Sequence, residues 1–467
     1  MVTRRALLSS AAALVVPRRP PNVVLLMTDQ QTLGALSAAG NPNVLTPNLD
    51  RLARQGTRFE HSLCASPVCS PSRSSLLTGC YPTATGVVYN GASIKPEVPT
   101  LGEAFQAAGY QTAWAGKWHL PGAFPGARSP GREPAAVSAR GFDFLPFRMP
   151  DISLAPFGDF TDEPIAEAAA AFIRREHAQP FLLGVSLHNP HDICYWVMDK
   201  LPPLHPALAE FDTAAAKLPP LPRNHLPSGD EPEFIGTCRK RRYYGEENTY
   251  TAAWDDSHWR RYLYGYYRMT ERVDRSLGIV LDALDRQGLA EDTLLVFTSD
   301  HGEGMAAHRW VVKLMLWQEV VSVPLIWRWP GRIAAGRVDK NTLASGVDIM
   351  PTLCGLADVP LPRAVHGGSL AAALAGKAGP RRESVFAQLA PDTKDQSMQG
   401  RAVRTRRYKY VRFSKGVNPE MFFDLERDPG EMRNLVAEAS VRTQVRKHRE
   451  LLRGWFDRTG DTGCKCA

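Results

Sequence analysis

Two short apolar runs, residues 22–28 (NVVLLMT) and 293–299 (TLLVFTS), lie more than half the chain apart, and each ends directly in an acid. The first runs into Asp29-Gln30 and the second into Asp300-His301-Gly302. Both are rich in strand formers, so each places a carboxylate at the carboxyl end of a strand. A third run, residues 181–187 (FLLGVSL), has the same texture, and helical candidates fall at 47–55, 101–108, 163–176 and 262–287. Strand and helix thus alternate from about residue 22 to about residue 372, which predicts the α/β class with a large, mainly parallel sheet flanked by helices. Ligand sites in open α/β sheets gather at the carboxyl ends of the strands.

Asp29 and Asp300, each with a polar neighbour in Gln30 and His301, are therefore candidate metal ligands. Oxygen donors converging from separate strand ends suit a hard divalent cation, with a nucleophile completing the cage. The bland alternative is that both acids only cap the turns that follow them.

The candidate nucleophile is Cys69, which heads Cys69-Ser70-Pro71-Ser72-Arg73 and is followed by Leu76-Leu77-Thr78-Gly79. Pro71 suits a first helical turn and Ser70 or Ser72 can cap it, so the free N–H groups of that turn favour negative charge beside residue 69. Arg73 follows about one turn later, where its guanidinium can share a face with Cys69 and fork onto an oxyanion. This stretch resembles the sulfatase family, whose signature C-x-P-S-R-x-x-x-L-T-G it carries intact from Cys69 to Gly79.

The resemblance implies an alkaline-phosphatase-like fold and a sulfuric ester hydrolase. It implies that Cys69 is oxidised to Cα-formylglycine by a formylglycine-generating or related maturation enzyme, the hydrated aldehyde being the nucleophile. It also implies one divalent metal held by Asp29, Gln30, Asp300, His301 and residue 69, with calcium first and manganese the alternative. The commoner family pattern is Asp-Asp with Asp-Asn. Gln30 and His301 depart from it and resemble the variant of choline-sulfatase-like and phosphonate or phosphodiester hydrolase branches, and imidazole suits softer ions.

Further family positions follow in order. In Trp114-Ala115-Gly116-Lys117-Trp118-His119, residues 117 and 119 are two apart, so in an extended segment both side chains point the same way. The resemblance gives Lys117 to the sulfate oxygens and His119 to proton removal from the hydrate. The run at 181–187 leads into His188-Asn189-Pro190-His191-Asp192, where His191 matches the family histidine on the ester oxygen and His188 is its local competitor. Lys313, followed by Glu319 and Val323-Pro324-Leu325-Ile326, matches the second sulfate clamp. Read alone, these are a solvated lysine or a satisfied histidine; order along the chain is what singles them out.

Charge and composition narrow the partners. The net charge of +8 over 467 residues is dispersed, which permits steering of an anionic substrate such as a sulfated small molecule or carbohydrate. Nucleic-acid binding needs a concentrated basic face, and the densest run, Arg239-Lys240-Arg241-Arg242, reads as a solvated loop or a local substrate contact. The start, Thr3-Arg4-Arg5-Ala6-Leu7-Leu8 with an alanine-rich stretch to Val16, looks like a twin-arginine export signal, so export to the periplasm or beyond is expected. No integral membrane span is expected. The eight cysteines, at 64, 69, 80, 194, 238, 354, 464 and 466, have neither zinc-site spacing nor a dense disulfide framework.

Three segments are expected: 1–19 as export signal or tail, 20–378 as the catalytic α/β domain, and 379–467 as a small subdomain. In the last, short strands at 401–406, 408–413 and 421–425 and a helix at 440–456 resemble the antiparallel α+β C-terminal part of sulfatases. A Pro-, His- and Tyr-rich stretch, 201–226, reads as an insertion near the pocket mouth or a packing arm. Besides sulfate ester hydrolysis, two readings stay open: phosphonate monoester or phosphodiester hydrolysis at the same site, and a non-catalytic, polyanion-binding exported protein.

Overall fold

The computed structural model describes residues 20–121, 138–147, 158–200, 217–240, 251–377 and 382–464. The leader at 1–19, the 378/379 boundary, residues 201–216, Arg241, Arg242 and Cys466 lie outside the described residues.

β1 (Asn22–Asp29) is the heart of the molecule because it is apolar from Val23 to Met27 and pairs on both edges. It runs parallel to β6 (Phe181–Pro190) and to β7 (Thr293–Ser299), with Val23 opposite Leu182 and Leu294. Its alternate side chains enter two different cores. Val23, Leu25 and Met27 pack with Leu76, Leu77, Ile349 and Leu353 on one face. Val24 and Leu26 pack with Ile165, Ala169, Leu277 and Val280 on the other. A strand buried on both faces needs this continuous apolar run.

With β2 (Thr57–Leu63), β3 (Gln111–Gly116), β4 (Ser138–Ala139), β5 (Phe142–Phe144), β8 (Leu325–Arg328) and β9 (Arg337–Ser345), the nine strands lie in the order β4-β5-β3-β6-β1-β7-β8-β2-β9. The sheet is mainly parallel, as expected, with β8 antiparallel to both β7 and β2. Between β7 and β8 only a 3-10 turn and the four-residue helix Gln318–Val321 intervene, so there is no crossover helix to bring the chain back to the same end.

The helices expected at 262–287 and 163–176 both open earlier. Asp255 accepts the N–H of His258 and starts a helix over Asp256–Arg286, and the other spans Gly158–Ile173. The helix expected at 101–108 spans Leu101–Ala107, and Thr100 with Glu103 closes a capping box on it.

The second sheet is antiparallel, in the order β10 (Val385–Leu389), β11 (Gly400–Arg404), β12 (Tyr408–Phe413), β13 (Glu420–Asp424). β10 was not anticipated from the sequence. One face carries helix Arg442–Thr459 through Val445, Leu452 and Trp455. The other face packs Ala402, Val411, Phe413 and Met421 against Leu314, Met315, Leu316 and Trp317. The small sheet therefore braces the segment that carries Lys313. Among the described residues, no helix is long and apolar enough to cross a membrane.

Candidate active site

β1 and β7 end side by side, so their terminal acids meet: Asp29 and Asp300 are both closed off from solvent. Helix Cys69–Thr78 points its first turn at them. Neither serine caps that helix, contrary to expectation. Val68 holds the cap position, Ser70 Oγ donates to the carbonyl of His119, Ser72 Oγ donates to the carbonyl of Asp300, and Asn90 Oδ1 accepts the N–H of Ser70 at 2.9 Å. The serines tie the helix to neighbouring loops, and a distant asparagine satisfies one of its end N–H groups.

Asp29, Cys69, Asp300 and His301 each offer a ligand atom, and these atoms lie within 4.8 Å of one another. Cys69 Sγ is 3.2 Å from His301 Nε2, and Asp29 Oδ1 and Asp300 Oδ1 are 3.9 and 3.7 Å from the same nitrogen. His301 Nδ1 lies 2.9 Å from the carbonyl of Gly302, which can only accept, so the ring proton sits on Nδ1 and Nε2 faces the cluster. Two carboxylates, an imidazole and residue 69 form a donor set that suits a divalent cation. Burial and the nearby charge of Asp29 raise the Asp300 carboxyl to about 6, an electrostatic crowding that a cation relieves.

Arg73 does not reach outward. Its guanidinium closes on this chain: Nε to Asp300 Oδ2 at 2.9 Å, Nη2 to Asp29 Oδ2 at 3.0 Å, and Nη1 to the carbonyl of Lys117 and Ser186 Oγ at 2.8 and 2.9 Å. The fork expected for an oxyanion is taken by the two strand-end carboxylates, which it aligns.

Lys117 and His119 reach the site by a different route from the one spacing suggested. β3 stops at Gly116, whose φ is 87°, and His119 has a φ of 58°, so a left-handed bend, not an extended strand, turns both residues inward. Lys117 Nζ lies 2.6 Å from Asp29 Oδ2, and the side chain of Cys69 hydrogen-bonds His119. His191 also hydrogen-bonds the Cys69 side chain, and burial, with Lys117 and Lys313 nearby, lowers it to about 3. His188 turns away to Thr161 Oγ1 at 3.1 Å. Lys313 Nζ is 3.1 Å from Cys69 Sγ and 3.1 Å from Gln30 Oε1.

These cations set the charge of the site. Burial alone would raise Asp29, but Lys117, Arg73 and Lys313 hold it well below the usual carboxylate range. Burial and Asp29 oppose ionisation of the Cys69 thiol, yet Lys313, His301 and Lys117 bring it well below its usual value. An anion at residue 69 is what this pocket favours.

Sequence reasoning missed Asn90, Ser186, Tyr262, Cys194 and Glu303. Glu303 had a signal: it is the next ionisable residue after Asp300 and His301 in the same strand-end run. Gln30 turns at φ 68° and lies between Glu303 and Lys313.

The sulfatase family pattern matches residues 21–359, and the pattern for the N-sulphoglucosamine sulphohydrolase C-terminal region matches 306–455. The ulvan-active sulfatase of Formosa agariphila is 31% identical over 440 residues, covering 89% of this chain and 77% of that protein. The Delta 4,5-hexuronate-2-O-sulfatase of Bacteroides thetaiotaomicron is 29% identical over 448 residues, covering 93% and 88%. Among solved structures, a 2-O GAG sulfatase superimposes with a TM-score of 0.81 at 27% identity, over 95% of this chain and 93% of that one. With this fold and this cluster of strand-end acids around Cys69, the chain belongs to the sulfatase family, sulfuric ester hydrolases of the alkaline phosphatase superfamily.

Proposed function

We propose that this protein hydrolyses the sulfate ester of a sulfated carbohydrate, with residue 69 converted to formylglycine and one divalent cation bound beside it. The observation that carries this reading is the meeting of Cys69 with Lys313, His301, Asp29 and the imidazoles of His119 and His191 in one pocket. The carbohydrate preference is supported by the names of the relatives, which act on ulvan and on hexuronate 2-O-sulfate.

Asp29, Asp300, His301 and residue 69 would hold the cation, with Gln30 as a further oxygen donor; calcium is the proposed ion and manganese the alternative. Bound there, it supplies charge neutralisation for the sulfate oxygens. The rest falls to the chain. Lys117 and Lys313 bind the ester's anionic oxygens and fix sulfur opposite residue 69. One hydroxyl of the aldehyde hydrate, having lost its proton to water beside the charges that favour an anion at residue 69, attacks sulfur as an alkoxide, and the S–O bond to the alcohol breaks on the opposite side.

Lys313 carries the proton that the leaving oxygen can take. His191, neutral near pH 7, donates a hydrogen bond to the same oxygen. His119, its pKa also lowered by burial, is a neutral base able to take the proton of the second hydroxyl, so that the aldehyde re-forms and inorganic sulfate departs. Arg73 keeps Asp29 and Asp300 in register throughout.

Export through the twin-arginine route is part of the same proposal, and fractionation of cells expressing the full chain and an Arg4→Lys/Arg5→Lys variant tests it. The function is tested on protein co-expressed with a formylglycine-generating or related maturation enzyme. Mass spectrometry of the peptide containing residue 69 is paired with sulfate release from sulfated mono- and oligosaccharides, aryl sulfate and choline sulfate, and with turnover of a phosphonate monoester and a phosphodiester. Sulfate release from a saccharide with residue 69 converted supports the proposal. Preference for the phosphonate or phosphodiester overturns the substrate class, and an inactive protein with an unconverted thiol leaves the polyanion-binding reading.

A further inference from the structure

Gln30 sits at the bend after β1, and its side-chain amide is gripped at both ends. Nε2 donates to Glu303 Oε2 at 2.6 Å, while Oε1 accepts from Lys313 Nζ at 3.1 Å. Cys194 Sγ lies 3.1 Å from Nε2 and 3.3 Å from Oε1, so it favours neither orientation. A primary amide turned end for end keeps its shape, so only its partners decide which atom faces the site.

Glu303 makes that decision. It is fully buried, and its Oε1 already accepts the Tyr262 hydroxyl and the N–H of Gly304 at 2.7 Å. Its Oε2 faces Gln30, and a carboxylate can only accept, so the amide nitrogen must turn toward it. Turned over, the amide would set its carbonyl against a carboxylate and its NH2 group against an ammonium. The same network reaches Lys313 by a second route, since the Tyr262 hydroxyl that donates to Glu303 also accepts the N–H of Val312 at 3.2 Å. Lys313 is thus held by its side chain through Gln30, and the residue before it, Val312, is held by its backbone N–H on Tyr262.

We propose that Glu303 is a positioning residue of this active site, which acts through Gln30 to present a carbonyl oxygen to Lys313 and so sets where the Lys313 ammonium stands beside residue 69. The inference rests on the sulfatase reading only for its catalytic consequence; the pairing of Glu303 with Gln30 stands or falls by itself.

The test is a charge-swap cycle: Glu303→Gln, Gln30→Glu and the double variant. Glu303→Gln keeps an oxygen on the N–H of Gly304 and so turns an NH2 group to Gln30, which either meets it NH2 to NH2 or turns over and sets its own NH2 group against Lys313, and Gln30→Glu sets two carboxylates against each other. The double variant restores one acceptor-only group and one amide with their places exchanged, and Glu at position 30 still presents an oxygen to Lys313. Each single variant is expected to lose kcat by about tenfold or more, and the double variant to return to within about threefold of wild type. The melting temperatures of the four proteins in EDTA, without substrate, should follow the same order.

Recovery of the melting temperature without recovery of kcat would reduce Glu303 to a structural role and overturn the proposal. A double variant no better than the worse single would overturn the pairing itself. If Glu303→Gln does not fold, Tyr262→Phe asks the same question: a severalfold lower kcat at an unchanged melting temperature supports the proposal, and wild-type kcat overturns it. A wild-type protein inactive on every sulfate ester would sink the enzyme reading, while the melting cycle would still judge the pairing of Glu303 with Gln30.

Discussion

Cys69 and Lys313 are 244 positions apart, yet Sγ and Nζ stand 3.1 Å from each other in a pocket closed to solvent. An ammonium there favours an anion at residue 69, and on the proposed mechanism it would also leave a cation within reach of the departing oxygen.

Cys69→Ser is expected to show at most one equivalent of alcohol released per enzyme and then arrest. A serine hydroxyl can attack sulfur, but it has no second hydroxyl to expel sulfate. Steady-state kcat should fall by about a thousandfold or more. Rapid-quench assay of a chromogenic aryl sulfate separates the burst from turnover, and sustained turnover by this variant would refute the hydrate mechanism. Cys69→Ala should show no burst.

Arg73→Met should destabilise the protein as well as silence it. The guanidinium neutralises two fully buried carboxylates, and removing one partner of such a group costs about 3–5 kcal/mol. Arg73→Lys keeps one charge but cannot bridge Asp29 and Asp300 at once, so it should fall between wild type and Arg73→Met. Urea denaturation at neutral pH measures both; a midpoint unchanged in Arg73→Met would show that the carboxylates are held by other groups.

Chelation should lower the melting temperature and abolish turnover together. An ion present at a hundred times its Kd stabilises the folded protein by about 2.7 kcal/mol, all of which is lost on its removal. Calcium, or manganese, should restore the wild type but not Asp300→Asn. Equal melting curves with and without EDTA would argue against an ion held by Asp29, Asp300 and His301.

Glu319 gives stability a pH dependence that does not pass through the cluster of Asp29, Asp300 and His301. Burial and then the charge of Glu431 raise its carboxyl to about 7, and its Oε2 is buried without a hydrogen-bond partner among the described residues. The folded state binds the proton more tightly than the unfolded chain does. The stabilisation is therefore full below about pH 4.5 and is lost as pH rises through 7, by about 1–3 kcal/mol. Glu319→Gln should flatten the fall in melting temperature between pH 5 and 8. The same slope in both proteins would count against it.

Much of this site could be read before any coordinates. Asp29 and Asp300 were legible because a strand-forming run ending in an acid is a local pattern, and the topology of an open sheet puts such ends together. Cys69 was legible through an unbroken signature. Lys117, His119, His191 and Lys313 were legible only by their order along the chain, and the extended geometry assumed for Lys117 and His119 was replaced by a left-handed bend at Gly116. Arg73 was correctly placed beside Cys69, but its partners were not, since nothing local says that a guanidinium will meet Asp29, 44 positions away, and Asp300, 227 positions away.

Local patterns were enough to specify the chemical groups, the strand ends that carry them and the two-sheet plan, because strand-forming runs and short motifs act over a few residues. Which group faces which was settled by the packed fold: that Asn90 rather than Ser70 or Ser72 satisfies the helix end, that β8 runs backwards, and that Gln30 turns its oxygen to Lys313 because Glu303 takes its nitrogen. Those choices depend on packing between segments hundreds of residues apart, where burial removes water as an alternative partner and leaves each polar atom only the neighbours the fold supplies.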